Sequence, residues 1–168
     1  MNQPHKMIPQ YPLLSEQQAS DLLKFIDSQP WNKDLNRLTQ QYGYKYDYKL
    51  KSLNPAPPLP DVLLNLRAEI NKVHPLINGN IQCIINNYEA GQSISAHIDN
   101  TGLFGPQIAV VSLLSPATMI FKSADQQQNV ILQPDHCYIL EGEYRYRWTH
   151  ELAKLKDRRI SITFRTLK

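Results

Sequence analysis

Cysteine is scarce in this chain. Cys83 and Cys137 are the two among 168 residues, they lie far apart, and no Cys-x-x-Cys spacing occurs. A disulfide framework and a thiolate zinc site are both excluded, and reduced thiols in the cytoplasm, or in the nucleus of a eukaryotic cell, are expected. No apolar run approaches membrane-spanning length, and no apolar stretch follows a basic cap at Met1-Asn2-Gln3-Pro4-His5-Lys6. Neither a membrane span nor a signal peptide is therefore expected. Low-complexity tracts and internal repeats are missing. So is a basic block: the formal charge of +3 permits a polyanionic partner without requiring one.

What is present reads as a folded monomer of one domain over residues 1–168, with 42% hydrophobic and 20% charged residues. Ser15 and Gln18 form a capping-box pattern, and Ala19, Leu22, Leu23 and Ile26 follow at helical spacing up to Pro30. Tyr42, Tyr44, Tyr46 and Tyr48 fall at every second position, so an extended chain puts the four rings on one face of a strand or hairpin. Beyond the proline-rich run Asn54–Pro60, the residues Leu63, Leu66, Ile70 and Val73 mark a second helix that ends before Pro75. From Ile81 onward, short segments rich in Ile, Val, Tyr and Phe alternate with turn signals, which predicts about seven or eight strands with no helix between them. The fold class is mainly β with flanking helices. Helices occupy about 11–80, and a double-stranded β-helix, or jelly roll, occupies about 81–168.

In Ser95-Ala96-His97-Ile98-Asp99, alternation turns His97 and Asp99 toward one point. They supply two legs of the 2-His-1-carboxylate triad that holds non-haem Fe(II). Alone, such a pair is weak evidence, because a surface or hydrogen-bonded pair is its commoner meaning. His150, in the strand-like segment Arg147–Glu151, is the best third donor, whereas His5, His74 and His136 have no such companion. In Arg159–Arg165, the residues Ile160, Ile162 and Phe164 face apolar surroundings, and Arg159, Ser161, Thr163 and Arg165 share the other face. That face is either a solvated surface or, turned inward, a site for a dicarboxylate matched to planar guanidinium forks. Asn86 and Tyr88 add an amide and a phenol just upstream of the metal pair, for core satisfaction or for carboxylate oxygens.

Taken in order, Asn86-Asn87-Tyr88, His97-Ile98-Asp99, His150 and Arg159 with Arg165 resemble the signature of the AlkB family, and the likeness runs from about Tyr11 to Arg165. The resemblance implies Fe(II) held by His97, Asp99 and His150, and 2-oxoglutarate held by Asn86, Tyr88, Arg159, Ser161 and Arg165. Ser161 stands where the founding bacterial member has asparagine. It also implies O2 as oxidant, hydroxylation of a C–H bond coupled to decarboxylation of the keto acid, and an alkylated nucleobase in DNA or RNA as substrate, dealkylated with release of formaldehyde. The tyrosine segment occupies the place of the family's nucleotide-recognition lid, and Gln40-Gln41-Tyr42-Gly43-Tyr44 is similar to lids of eukaryotic relatives that include the tRNA wobble-uridine hydroxylase type. Tyr42, Tyr44, Tyr46, Lys45, Arg145 and Trp148 are the substrate-contacting residues expected on that basis. One departure is Asn100-Thr101-Gly102, where the bacterial repair enzyme presents acidic residues to a cationic base. A hydroxylase of a modified tRNA uridine and a catalytically silent binding module are the alternatives.

Overall fold

The computed structural model describes residues 6–75 and 79–168, so His5 lies outside the described residues. The elements in order are β1 (Gln10–Pro12), α1 (Glu16–Ser28), β2 (Leu38–Tyr42), β3 (Tyr44–Asp47), β4 (Ser52–Pro55), α2 (Asp61–Val73), β5 (Ile81–Tyr88), β6 (Ile94–His97), β7 (Phe104–Leu113), β8 (Ala117–Ser123), β9 (Gln126–Leu132), β10 (His136–Leu140), α3 (Gly142–Tyr146), β11 (Thr149–Leu152) and β12 (Arg159–Leu167). A six-stranded sheet runs β1-β10-β7-β12-β5-β2, and a four-stranded sheet runs β6-β11-β8-β9. All pairings are antiparallel. The two sheets form the jelly roll, and β3 and β4 make a separate hairpin.

Strand alternation divides the interior in two. Outward residues of the large sheet, among them Cys83, Ile85, Val111, Ile160, Ile162 and Phe164, pack against Leu22 and Ile26 of α1 and Leu63, Leu66 and Ile70 of α2. The helices therefore cover the outside of the sheet, as an apolar stripe at helical spacing requires. The α1 start carries the expected capping box, with Ser15 Oγ accepting from Gln18 N and Gln18 Oε1 accepting from Ser15 N. Inward residues such as Ile108, Val110, Met119, Phe121 and Trp148 form the second core between the sheets. Arg159, Ser161, Thr163 and Arg165 point to this inner side, where all four line one cavity.

Two expectations are corrected. A helix does interrupt the strands: α3 begins at the positive-φ Gly142 and closes with Arg147 N and Trp148 N donating to Glu143 O. Five residues are too few to display a helical hydrophobic period. The tyrosine stripe is also not continuous. Gly43 has φ of +76° and sits so close to Ile81 that a Cβ would come 2.5 Å from its carbonyl oxygen. That left-handed turn ends β2 at Tyr42 and redirects the chain into the hairpin.

Candidate active site

β6 and β11 pair so that His97 stands opposite His150, and the two rings lie 4.3 Å apart. Asp99 lies just past the end of β6, so the loop, and not strand alternation alone, turns its carboxylate toward both rings. Asp99 Oδ1 is 3.2 Å from His97 Nε2 and 3.7 Å from His150 Nε2. Two imidazoles and a carboxylate thus present one donor each within 4.8 Å of one another, and this is the one group of metal-ligating side chains found among the described residues. His97 Nδ1 lies 2.9 Å from Ser95 O; donation to that carbonyl leaves Nε2 free to act as ligand. Burial and the neighbouring His97 push the His150 imidazole down to about 4, which keeps it neutral and ligand-competent. Burial opposes ionisation of Asp99, but Arg165 and His97 outweigh it and hold the carboxyl well below the usual range. This mixed nitrogen and oxygen set fits Fe(II). His74 and His136 instead meet Glu141 and the Pro134 carbonyl.

β5 and β12 pair in register, with Asn86 opposite Ser161 and Tyr88 opposite Arg159. Arg159 is 2% exposed, donates Nη2 to Ser112 Oγ at 2.8 Å, and has a buried Nε without a partner. Among the described residues it pairs with no carboxylate, so a cation has been desolvated with an unused donor beside a cavity. That is the condition an anionic ligand would relieve. Arg165 Nε lies 3.1 Å from Asp99 Oδ2, close enough for an ion pair although its N–H is not aligned as a hydrogen bond. Asn86 Nδ2 donates to Ser161 Oγ at 3.4 Å, and its Oδ1 accepts from Arg37 Nε at 2.6 Å. These groups and the three metal donors border a single cavity of about 320 Å³.

The residues expected to touch substrate divide. Tyr46 lines the cavity and meets Tyr48 edge-on at 4.7 Å. Tyr44 lies on the hairpin outside the cavity lining, and Lys45 is held by Asp34 at 2.9 Å. Tyr42 belongs to the far side of the Gly43 turn, where it packs on the helix-side core and donates its hydroxyl to Gln40. Arg145 and Trp148 are interior, at 1% and 2% exposure; Trp148 fills the core between the sheets and Arg145 is spent on backbone carbonyls. Neither is on a surface that a nucleotide could reach. Arg37 and Tyr48, by contrast, do line the cavity. The Arg37 guanidinium sits 5.7 Å from the Tyr48 ring and 5.9 Å from the Tyr88 ring. Both carry a sequence signal, Tyr48 as the last ring of the tyrosine stripe and Arg37 as the basic residue ahead of it.

The sequence profile of the 2OG-Fe(II) oxygenase superfamily matches residues 10–165. The chain is similar to tRNA (carboxymethyluridine(34)-5-O)-methyltransferase ALKBH8 of Macaca fascicularis, at 30% identity over 157 residues, covering 84% of this chain and 23% of that protein. It is similar to the Alkylated DNA repair protein ALKBH8 homolog of Arabidopsis thaliana, at 26% identity over 201 aligned positions, covering 96% of this chain and 58% of that protein. The chain thus spans less than two thirds of either relative. The solved structure of OsALKBH1 shares the fold, with a TM-score of 0.68 at 15% identity, covering 97% of this chain and 99% of that one. No helix among the described residues is long and apolar enough to cross a membrane. With a profile match over nearly the whole chain, a His-Asp-His cluster between two sheets and AlkB-type relatives, the chain belongs to the AlkB type of the 2OG-Fe(II) oxygenase superfamily, whose enzymes use Fe(II), 2-oxoglutarate and O2.

Proposed function

We propose that this chain oxidises a carbon substituent of a nucleobase in DNA or RNA. The observation that carries this reading is the composition of the cavity wall. The metal donors, Arg159 and Arg165 of β12, and Tyr46, Tyr48 and Arg37 all line one cavity, a combination suited to stacking an extruded base beside the metal donors. His97, Asp99 and His150 would hold Fe(II). Asn86, Tyr88, Arg159, Ser161 and Arg165 would hold 2-oxoglutarate, with Arg159 and Arg165 as the charge partners of its carboxylates. When bound, these cofactors supply C–H hydroxylation coupled to conversion of 2-oxoglutarate and O2 into succinate and carbon dioxide. The chain's own share is to orient the ligands, to keep His150 as a neutral donor, and to exclude water behind Ile108, Val110, Met119 and Leu152. A hydroxylated methyl on a ring nitrogen then departs as formaldehyde, whereas a hydroxylated substituent on ring carbon persists.

A second outcome, hydroxylation of a modified tRNA uridine, is favoured by charge. Asp99 is the one carboxylate lining the cavity, and it is already engaged by Arg165 and the histidines, while Arg37 adds a further cation. A cationic methylated base would find no free counter-charge, whereas a neutral uridine needs none and an acidic substituent on one would meet the Arg37 cation. The relatives named for carboxymethyluridine(34) support this choice. The test is incubation with Fe(II), 2-oxoglutarate and two panels, N-methylated DNA and RNA oligonucleotides and tRNA carrying modified wobble uridines. Succinate with equimolar formaldehyde identifies dealkylation; succinate with a gain of one oxygen on tRNA and no formaldehyde identifies hydroxylation. Succinate formation that neither panel stimulates would remove the nucleobase reading.

A further inference from the structure

Asp99 stands outside regular structure. β6 ends at His97, and the chain does not enter β7 until Phe104. A metal ligand on a loop points usefully only if its backbone is held by something else. Within the loop, Asn100 Oδ1 accepts from Gly102 N and Leu103 N at 2.9 and 3.1 Å, and Phe104 N donates to Asn100 O at 3.1 Å. These bonds shape the turn but do not anchor it to the rest of the fold.

Lys168 N ties the far end of the loop by donating to Leu103 O at 3.1 Å, and the grip on the backbone at Asp99 itself comes from α3. Arg145 Nη1 donates to Asp99 O at 3.0 Å, Nη2 donates to Asn100 O at 3.3 Å and Phe104 O at 3.1 Å, and Nε donates to Gly105 O at 3.0 Å. The guanidinium is buried, and among the described residues it makes no ion pair with a carboxylate. Burying a full charge against carbonyl dipoles and the Tyr146 ring, 4.9 Å away, with no counter-ion is expensive, so the guanidinium is there for the carbonyls it spans. A lysine ammonium could not reproduce the arrangement, because its donors radiate from one atom and cannot span carbonyls spread from residue 99 to residue 105.

We propose that Arg145 is a positioning residue of the metal centre: by gripping the carbonyls of Asp99, Asn100, Phe104 and Gly105 it fixes the loop that aims the Asp99 carboxylate at His97 and His150. The same short stretch of chain carries Arg145 at the end of α3 and His150 in β11, so one segment supplies a metal donor and the clamp that orients another. The inference rests on the reading of His97, Asp99 and His150 as the iron site.

The experiment titrates the full chain with Mn(II), a redox-silent stand-in for Fe(II), following free Mn(II) by electron paramagnetic resonance. It compares wild type, Arg145→Met and Arg145→Lys, with circular dichroism as the check on folding and steady-state succinate formation in parallel. Loss of a residue that orients a ligand costs about 10- to 100-fold in metal affinity, and that loss is expected for Arg145→Met, with Arg145→Lys in between. kcat falls, while KM for 2-oxoglutarate stays near the wild-type value, because the co-substrate residues lie on β5 and β12. A folded Arg145→Met chain with wild-type Mn(II) affinity and kcat overturns the proposal. If Arg145→Met does not fold, Arg145→Lys decides on the same two readouts. Loss of folding in both variants assigns Arg145 to general stability and also overturns the proposal. A wild-type chain that binds no Mn(II) overturns the metal-site reading itself, which separates that failure from failure of the clamp.

Discussion

Replacing Arg159 by methionine should move stability and ligand affinity in opposite directions. In the ligand-free protein, the guanidinium is buried, bonded once to Ser112 Oγ and left with an orphaned Nε, and burial pushes its pKa down. Exchanging a buried charge for an apolar side chain of similar volume is neutral to stabilising by about 1–4 kcal/mol. Ser112 loses its partner in the exchange, at about 1 kcal/mol. The ligand-free variant should therefore change by roughly −1 to +3 kcal/mol, and at about 2–4 °C per kcal/mol for a chain of this size its Tm should fall by no more than a few degrees or rise. With 2-oxoglutarate the sign reverses, since removing one partner of a buried charge pair costs about 2–5 kcal/mol, or roughly 30- to several-thousand-fold in Kd. Urea denaturation of the ligand-free protein gives the first quantity. Calorimetric titration with 2-oxoglutarate in the presence of Mn(II) gives the second. Wild-type affinity in the variant, or a ligand-free loss above about 2 kcal/mol, would refute the argument that Arg159 is held desolvated for an anion.

Asp99→Asn leaves the buried Arg165 without its counter-charge and should cost about 3 kcal/mol in chemical denaturation. Because the folded Asp99 carboxyl is held below its ordinary range, the wild-type advantage is full above the unfolded carboxylate pKa of about 4 and shrinks as pH falls below it; an advantage independent of pH would count against the pairing. Ser15→Ala removes one half of the α1 capping box, so a loss of about 1 kcal/mol with unchanged succinate formation is expected from thermal melts and turnover assays. Burial raises both thiols, Cys137 to about 12, and thiolate is the reactive form, so iodoacetamide at pH 8 should label neither cysteine in the native chain and both after denaturation, as read by mass spectrometry.

Local rules made much of this protein readable in one dimension. A capping serine and glutamine with a 3.6-residue stripe specified α1, and the two-residue alternation of Arg159–Arg165 separated an apolar face from a polar one, because both signals depend on neighbours within a few residues. His97 and Asp99 were close by sequence, and an antiparallel pairing of β6 with β11 is what brings His150 opposite them. Where the polar face of β12 points was not decided locally: it faces inward only because β7 and β5 flank it and the second sheet covers it.

The substrate side shows the converse. Tyr42, Tyr44, Tyr46 and Tyr48 share a sequence period, yet one left-handed glycine places Tyr42 on the helix-side core and only Tyr46 and Tyr48 on the cavity. Arg145 and Trp148 read as substrate contacts until the packing of α3 against the loop after β6 and the core between the sheets buries both. The sequence by itself determined which residues can form strands, helices and metal donors, since those properties belong to a residue and its nearest neighbours. Only the tertiary structure decided which arginine is a clamp, which is an anion receptor and which lines the cavity wall, because a guanidinium's role depends on the carbonyls, carboxylates or empty space that distant strands bring to it.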